Sequence, residues 1–301
     1  MKQQCQYGEE VARALANKAP VVALETTVVT HGLPHSDGVA TALSLERIVR
    51  ESGATPATIG IIGGAIRIGL SRAELEQLAT TPNVTKVNFS NLAAVVSSGQ
   101  PGSTTVAATM AAAHANGIRV FATGGIGGVH RDASESGDIS ADLTALSRIP
   151  VAVVSAGAKA ILDLPRTVEM LETLGVPVFG LGTDEFPAFY RRSTGLPVDR
   201  RYDSITELAS AVRLHLSLGL GTGVLIANPI PIANEMASEL YDRALHTALS
   251  EAETRGVRGR AVTPFLLDRR RAITGGDSVR ANLALLEHNA QVAAALAVAG
   301  V

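Results

Sequence analysis

Lysine is rare in this sequence, and the lysines that remain are candidates for chemistry. Only four of the 26 lysine and arginine residues are lysine, and two of these, Lys86 and Lys159, lie in the body of the chain. Arginine cannot lose its proton in a protein, whereas lysine in an apolar setting can supply the free amine that a base or an imine-forming nucleophile needs. Chance survival at neutral positions is the alternative explanation.

The segment around Lys159 favours a catalytic role. The run PVAVVSAGAKA at 150–160 is apolar and ends in small residues before Lys159. This pattern predicts a buried strand with the lysine at its carboxyl end, where α/β sheets place their binding sites. A lysine whose side chain only extends along the strand end to solvent is the alternative.

Glu25 is the second candidate because it interrupts the apolar segment ALETTVVTHG at 23–32. A carboxyl group buried there without a cation would have a raised pKa and could deliver a proton as a general acid. A structural carboxylate that accepts hydrogen bonds from backbone or arginine donors would give the same sequence pattern. Both interpretations stay open on the residues alone.

Two segments indicate a site for a phosphate or sugar phosphate. GSTTVAATM at 102–110 spans a predicted helix start, and the glycine-rich turn TGGIGGVH at 123–130 follows a predicted strand. Backbone N–H groups in both settings bind phosphate without cationic side chains. The turn lacks the dinucleotide-binding pattern, because His130 stands where the last glycine belongs, and the chain has no P-loop Gly-Lys-Ser/Thr. Tight turns are the alternative role for these glycines.

Asp138 and Asp142 form a possible metal or substrate site, with Ser140 between them as a helix cap. One carboxylate together with water and substrate oxygens suits Mg²⁺ or Mn²⁺. Acidic residues that stabilise a helix N-terminus are the simpler interpretation of this spacing.

The elements that must position these residues are those of an α/β fold with a largely parallel sheet, because short Val/Ile-rich runs alternate with longer amphipathic segments. We expect one continuous domain over 1–301. Predicted strands are 21–29, 57–62, 85–88, 119–122, 151–155, 176–180 and 224–227. Predicted helices are 39–51, 73–79, 104–116, 161–174, 205–217, 235–255 and 278–298.

Composition excludes several classes of protein. A net charge of -2 and the absence of a basic run argue against nucleic-acid binding. No apolar run approaches the roughly 20 residues that span a bilayer, and the N-terminus lacks the apolar core of a signal peptide. The single cysteine, Cys5, excludes an internal disulfide framework and favours a reducing, cytoplasmic location.

Ten motifs together resemble the pseudouridine-5′-phosphate glycosidase family, also called the indigoidine-A-like family, over nearly the whole chain. They are ALETT, PATIGIIGG, NVTKV, GSTTVAATM, VFATGGIGGVHR, DISADL, AGAK, TDEFPAFY, TPFLL and TGGDS. The resemblance implies a single three-layer α/β/α domain, a homotrimer and a bound Mn²⁺, for which Mg²⁺ is an alternative. It also implies Schiff-base chemistry that makes or breaks the carbon–carbon bond between C1′ of ribose 5-phosphate and uracil.

The resemblance also implies residue roles. Lys159 in AGAK matches the nucleophile that attacks C1′, and Glu25 in ALETT matches the proton donor that helps to open the ribose ring. Lys86 in NVTKV matches a substrate-contacting lysine, and Asp138 in DISAD matches the Mn²⁺ ligand. The further substrate-binding positions that the resemblance implies are Val106, His130, Ser140, Ala141, Asp142 and Asn282.

Three departures from the family pattern bear on the aglycone. Asn-Phe-Ser-Asn at 88–91 replaces the usual Ser-Arg-Arg-Asp, Ile232 replaces a glutamate, and His288 replaces the first asparagine of an Asn-Asn pair. Because these changes make the surroundings less charged, we predict C-ribosylation of an aromatic, polyketide-type acceptor, as in the alnumycin-type enzyme of antibiotic biosynthesis. A pseudouridine 5′-phosphate glycosidase is the close alternative, and a non-catalytic sugar-phosphate sensor is the alternative of another class.

Overall fold

A sheet of eleven strands organises the fold of the computed structural model, which describes residues 1–32, 35–159, 161–257, 265, 269 and 272–301. The strands are β1 (Cys5–Tyr7), β2 (Val21–Leu24), β3 (Thr55–Ile62), β4 (Ala65–Ile68), β5 (Thr85–Val87), β6 (Gly102–Thr104), β7 (Val120–Ala122), β8 (Ala152–Ser155), β9 (Val178–Leu181), β10 (Arg200–Tyr202) and β11 (Val224–Ala227).

The sheet is mostly parallel. Its main path runs β1-β4-β3-β2-β7-β8-β11-β9-β10, with β6 joining β3 and β5 joining β6. Only β4 and β6 pair antiparallel, both with β3. The predicted α/β fold with a largely parallel sheet is therefore confirmed.

Helices cover both faces of the sheet. They are α1 (Glu9–Ala16), α2 (His35–Glu51), α3 (Arg72–Thr80), α4 (Leu92–Ser98), α5 (Val106–Ala115), α6 (Ala133–Ser136), α7 (Ala141–Leu146), α8 (Leu164–Thr173), α9 (Ile205–Ser217), α10 (Ser238–Thr254) and α11 (Asp277–Val298). Alternate residues of β2 enter opposite cores: Ala23 packs on one face, and Val22 and Leu24 pack on the other. Such two-sided burial explains why the strands are continuous apolar runs.

The predicted strand 21–29 is too long. β2 ends at Leu24, and Val28–Gly32 forms a short π-helix. The Thr26 hydroxyl donates to the Ile59 carbonyl at 2.8 Å and accepts from the Thr104 amide at 2.9 Å. These bonds to neighbouring strands replace further strand pairing, so Glu25 lies just beyond the strand end.

Short elements account for the other differences from the predicted set. The strands that the periodicity did not predict are β1, β4, β6 and β10, each of three or four residues. Strands of the same length, such as β11, were predicted because they are continuous apolar runs, which the sequences GST of β6 and RRY of β10 are not. Among the described residues, no helix has the length and hydropathy to cross a membrane.

Gly157 shapes the turn that places Lys159. Its φ is +75°, and a Cβ at this position would lie 1.9 Å from the Pro187 carbonyl oxygen. On either side of the turn, the Ile126 amide donates to the Gly157 carbonyl at 3.0 Å and the Lys159 amide donates to the Ile126 carbonyl at 3.1 Å. The backbone that leads to Lys159 is therefore bound to the loop after β7.

Gly157→Ala is expected to destabilise the fold more than Gly195→Ala. Gly195 has a similar φ of +73°, but a Cβ added there would have no heavy atom within 4 Å. Both changes carry the cost of left-handed backbone, about 1–2 kcal/mol, and only Gly157→Ala adds a steric clash of about 1–3 kcal/mol. Urea unfolding of the two variants measures the difference, and equal losses would contradict the turn geometry.

Candidate active site

One cavity of about 650 Å³ gathers most of the residues that were predicted to form the site. Its walls come from β5 and from the loops that follow β2, β6, β7 and β8. The predicted residues that line it are Glu25, Lys86, Val106, His130, Asp138, Ser140, Ala141, Asp142 and Lys159. The volume is within the range of about 300–1,000 Å³ that small-molecule sites occupy.

Asn282 lies elsewhere. It is buried on α11 and does not line this cavity. Its role in substrate binding therefore stays a prediction. Residues that carry no sequence signal of their own also line the cavity, and they include Thr27, His31, Thr105, Ile139 and Leu162. Thr27 and Thr105 are part of ALETT and GSTT, but a threonine in such a motif does not by itself indicate a cavity wall.

The Glu25 carboxyl group is held by two hydroxyl groups from different loops. Thr27 donates to its Oε2 atom, and Thr123, which follows β7, donates to its Oε1 atom. Burial raises the pKa of the Glu25 carboxyl, while the positive charge of Lys159 acts in the opposite direction. A carboxyl group that keeps its proton to higher pH suits a general acid.

Lys86 and Lys159 face the same cavity. Burial lowers the pKa of the Lys86 amine, and the neighbouring charge of Lys159 lowers it further. The carboxylates of Asp142 and Glu25 act against both effects. Lys86 therefore also has the environment of an amine that can lose its proton, so geometry alone does not assign the nucleophile.

Asp142 connects the walls of the cavity. Its Oδ1 atom accepts from the Ala107 amide of α5 at 3.1 Å, and its Oδ2 atom accepts from the Gly127 amide at 2.8 Å. The predicted Ser140 cap is present, because the Ser140 hydroxyl accepts from the Asp142 amide at 3.2 Å. The Asp142 carboxylate thus holds the start of α5 against the glycine turn.

The start of α5 has the features of an anion site. Thr105 is its N-cap residue, and the buried Thr105 hydroxyl has no hydrogen-bond partner within the described part of the chain. Thr105 and Val106 both line the cavity. A polar ligand at this helix end would meet the Thr105 hydroxyl and the positive end of the helix dipole, while the Ala107 N–H is already bound by Asp142.

The glycine turn contributes less to the cavity than predicted. Of its four glycines, only Gly127 lines the cavity. A Cβ at Gly125 would lie 2.6 Å from the Phe189 ring, and one at Gly128 would lie 2.4 Å from the Thr167 hydroxyl. These two glycines allow close packing behind the cavity, in line with the alternative role in tight turns, and a phosphate contact at Gly127 stays a prediction.

Asp138 lies at the cavity mouth with its side chain 36% exposed. The His130 Nε2 atom lies 4.0 Å from its Oδ2 atom, and the His130 amide donates to the Asp138 carbonyl at 3.1 Å. Within the described ranges, no group of three His, Cys, Asp or Glu side chains could hold a metal ion. The donors fit a divalent cation that takes one carboxylate from the protein and its other ligands from water and substrate.

Comparison with known proteins agrees with this geometry. Residues 10–299 match the family described as indigoidine synthase A like protein. The chain is similar to the pseudouridine-5′-phosphate glycosidase of Caldanaerobacter subterraneus subsp. tengcongensis, at 52% identity over 96% of this chain and 94% of the relative. It is equally similar to that of Geobacillus kaustophilus, at 53% identity over 97% of each chain.

A solved structure gives the same result at the level of the fold. The crystal structure of the prealnumycin C-glycosynthase AlnA in complex with ribulose 5-phosphate superposes with a TM-score of 0.90 at 38% identity. The superposition covers 99% of this chain and 97% of that protein.

Asp142→Asn and Asp138→Asn are expected to differ in stability. At Asp142 the new amide group would face a backbone N–H donor, and a buried unsatisfied donor costs about 1–3 kcal/mol. Asp138 is partly exposed, so its substitution is expected to change the free energy of unfolding by no more than about 0.5 kcal/mol. Urea unfolding measures both, and an Asp142→Asn variant as stable as the wild type would show that the backbone contacts are unimportant.

Proposed function

The chain belongs to the indigoidine synthase A-like family of pseudouridine-5′-phosphate glycosidases, and we propose that it cleaves pseudouridine 5′-phosphate to uracil and ribose 5-phosphate and catalyses the reverse reaction. The observation that carries the proposal is the cavity in which Glu25, Lys86 and Lys159 meet. Relatives that share 52–53% of their residues with the chain carry this activity in their names. Members of the family are C-glycosidases, so the non-catalytic sensor is set aside.

The aromatic acceptor predicted from the sequence has less support than uracil. The C-glycosynthase AlnA is 38% identical to the chain, below the glycosidases. Of the two apolar departures, Phe89 packs against the core and Ile232 is 77% exposed outside the cavity. The polar residues Asn88 and Asn91 line the cavity instead. Asn91 binds the Asn88 amide and the Lys86 carbonyl within the same loop, so the loop is polar but largely bonded to itself, and the higher identity to the glycosidases carries the choice of uracil.

Lys159 and Glu25 act on the two bonds of C1′ in the proposed cleavage. Glu25 protonates the ring oxygen as the C1′–O4′ bond breaks, and the Lys159 amine bonds to C1′ and gives up a proton, which the Glu25 carboxylate takes up. The C1′–C5 bond then breaks, its electron pair leaves with the uracil carbon, which takes up a proton, and an imine remains between Lys159 and C1′. Water hydrolyses the imine, which releases ribose 5-phosphate and frees the amine. Synthesis follows the same steps in reverse.

The phosphate and the metal belong to the same proposal. The Thr105 hydroxyl, which has no partner among the described residues, would bind the 5′-phosphate at the positive end of α5. Asp138 would hold a Mn²⁺ or Mg²⁺ ion, which supplies charge compensation to an anionic substrate when it is bound.

A homotrimer and a cytoplasmic location complete the proposal. Three leucines at and beyond the end of α9, Leu214, Leu218 and Leu220, are more than 60% exposed and would be covered at a subunit contact. A chain whose single cysteine is Cys5 suits a reducing compartment.

Turnover of pseudouridine 5′-phosphate by the wild type is the first prediction. Lys159→Ala is expected to abolish it, because no other group would form the covalent bond to C1′. Glu25→Gln is expected to lower kcat about 10²- to 10⁴-fold, the usual effect of losing a general acid. Release of uracil, followed by chromatography, measures both, and Lys18→Ala serves as a lysine control outside the cavity.

The acceptor is tested in the synthetic direction. With ribose 5-phosphate, uracil is expected to be consumed faster than an aromatic polyketide acceptor of the prealnumycin type. Faster consumption of the aromatic acceptor would restore the prediction made from the sequence.

The covalent step is tested by reduction with borohydride. An imine between Lys159 and ribose 5-phosphate would be reduced to a stable amine, which peptide mass spectrometry locates. We expect the adduct on Lys159 in the wild type and in Lys86→Ala. An adduct on Lys86 would exchange the roles of the two lysines.

A further inference from the structure

The proton donor depends on a contact from the neighbouring strand. Glu25 follows β2 and Thr123 follows β7, and these strands are parallel neighbours. The Thr123 hydroxyl donates to Oε1 of Glu25, so the carboxyl group is fixed across the gap between the two strand ends. Thr123 itself is 2% exposed and lies behind the cavity wall rather than among its lining residues.

Thr123 is in turn held on two sides. Its backbone amide donates to the Val154 carbonyl of β8 at 3.0 Å. Its backbone carbonyl accepts from the Asn289 Nδ2 atom of α11 at 2.8 Å. Because both polar groups of its backbone are bound, the Thr123 backbone is held in place and so is the point from which its side chain extends.

Asn289 is fully buried and is positioned by another amide. Its Oδ1 atom accepts from the Asn228 Nδ2 atom at 2.8 Å. Asn228 follows β11, and its backbone amide donates to the Ser155 carbonyl of β8 at 2.9 Å. Hydrogen bonds therefore run without a break from Asn228 through Asn289 and Thr123 to Glu25.

We propose that Thr123 and Asn289 are positioning residues for the proton donor, with Asn289 fixing the Thr123 peptide and the Thr123 hydroxyl holding the Glu25 carboxyl group toward the substrate. This inference rests on the proposed function. A hydroxyl group can donate to a carboxylate and accept from a carboxylic acid, so the contact survives proton transfer. Buried amide networks in which every group is bound are rigid.

The groups around Glu25 determine in which direction its pKa would change if the Thr123 hydroxyl were lost. Lys159 and Lys86 favour its ionised form and Asp142 opposes it, while burial raises the pKa of Glu25 and the Thr123 hydroxyl lowers it. The other titratable residues that line the same cavity are His31, His130 and Asp138. Without the Thr123 hydroxyl, the pKa of Glu25 would rise further, and Glu25 would stay protonated to higher pH.

Thr123→Val and Thr123→Ser form a matched test. Valine keeps the shape and loses the hydroxyl, whereas serine keeps the hydroxyl. We expect Thr123→Val to lower kcat about 10- to 100-fold with KM unchanged, as for a misoriented catalytic group. In the plot of kcat against pH, the fall at high pH is expected to move to higher pH in Thr123→Val. Thr123→Ser should restore both kcat and this pH dependence. If kcat and its pH dependence are both unchanged in Thr123→Val, the inference is overturned.

Asn289→Asp tests the second link, because it replaces the donor to the Thr123 carbonyl with an acceptor. The expected loss of kcat should not add to that of Thr123→Val, since Asn289 acts on Glu25 only through the Thr123 hydroxyl that Thr123→Val removes. Additive losses would show that Asn289 acts independently of Thr123. Asn116→Asp, another buried asparagine, which bonds Tyr7 and the Ala112 carbonyl, is the control and should keep wild-type kcat.

A readout without substrate separates the two proposals. The titration of Glu25, followed by carbon-13 NMR and assigned with Glu25→Gln, is expected to shift to higher pH in Thr123→Val. If the wild type does not cleave pseudouridine 5′-phosphate but the Glu25 titration still shifts in Thr123→Val, the proposed function alone is overturned. An active wild type whose Glu25 titration is the same in Thr123→Val would overturn the positioning role alone.

Discussion

Burial of the Glu25 carboxyl group beside two lysines is the constraint on which the site depends. An isolated carboxylate at this depth would be costly, so the protein surrounds it with hydroxyl groups from Thr27 and Thr123 and with the charges of Lys86 and Lys159. The same burial that favours a protonated carboxyl group favours an unprotonated Lys86 amine. One desolvated cavity thus raises the pKa of the acid and lowers the pKa of Lys86, the lysine that shares the cavity with the proposed nucleophile Lys159.

The backbone keeps these groups together by linking each loop to its neighbour. Asp142 binds the amides of Ala107 and Gly127, and the Lys159 amide binds the Ile126 carbonyl. Gly157 permits the close passage of the chain beside Pro187. Because the links are mostly to backbone atoms, the side chains that face the substrate remain available for chemistry. The parallel strands β2, β7 and β8 suit this arrangement, since their carboxyl ends open on one side of the sheet.

Sequence reasoning succeeded where a residue type is unusual for its place. A rare lysine at a strand end and a glutamate in an apolar run made Lys159 and Glu25 candidates, and the structure brings both to one cavity. The uninterrupted run at 224–227 predicted strand β11 with its observed bounds. The predicted strand 21–29 failed because Val28 and Val29 continue the apolar pattern into a π-helix. The bond between Asn289 and Thr123 joins residues 166 positions apart, and no local pattern records such a contact.

The placement of α11 has a consequence for how the protein tolerates mutation. Every described residue that lines the cavity lies between positions 25 and 162, yet the amide that holds Thr123 comes from position 289. Selection on catalysis therefore extends to a helix that contributes no wall of the cavity. Substitutions that change the packing of α11 would lower turnover although the residues that line the cavity stayed the same. Distance from the cavity is therefore a poor guide to which inherited changes are neutral.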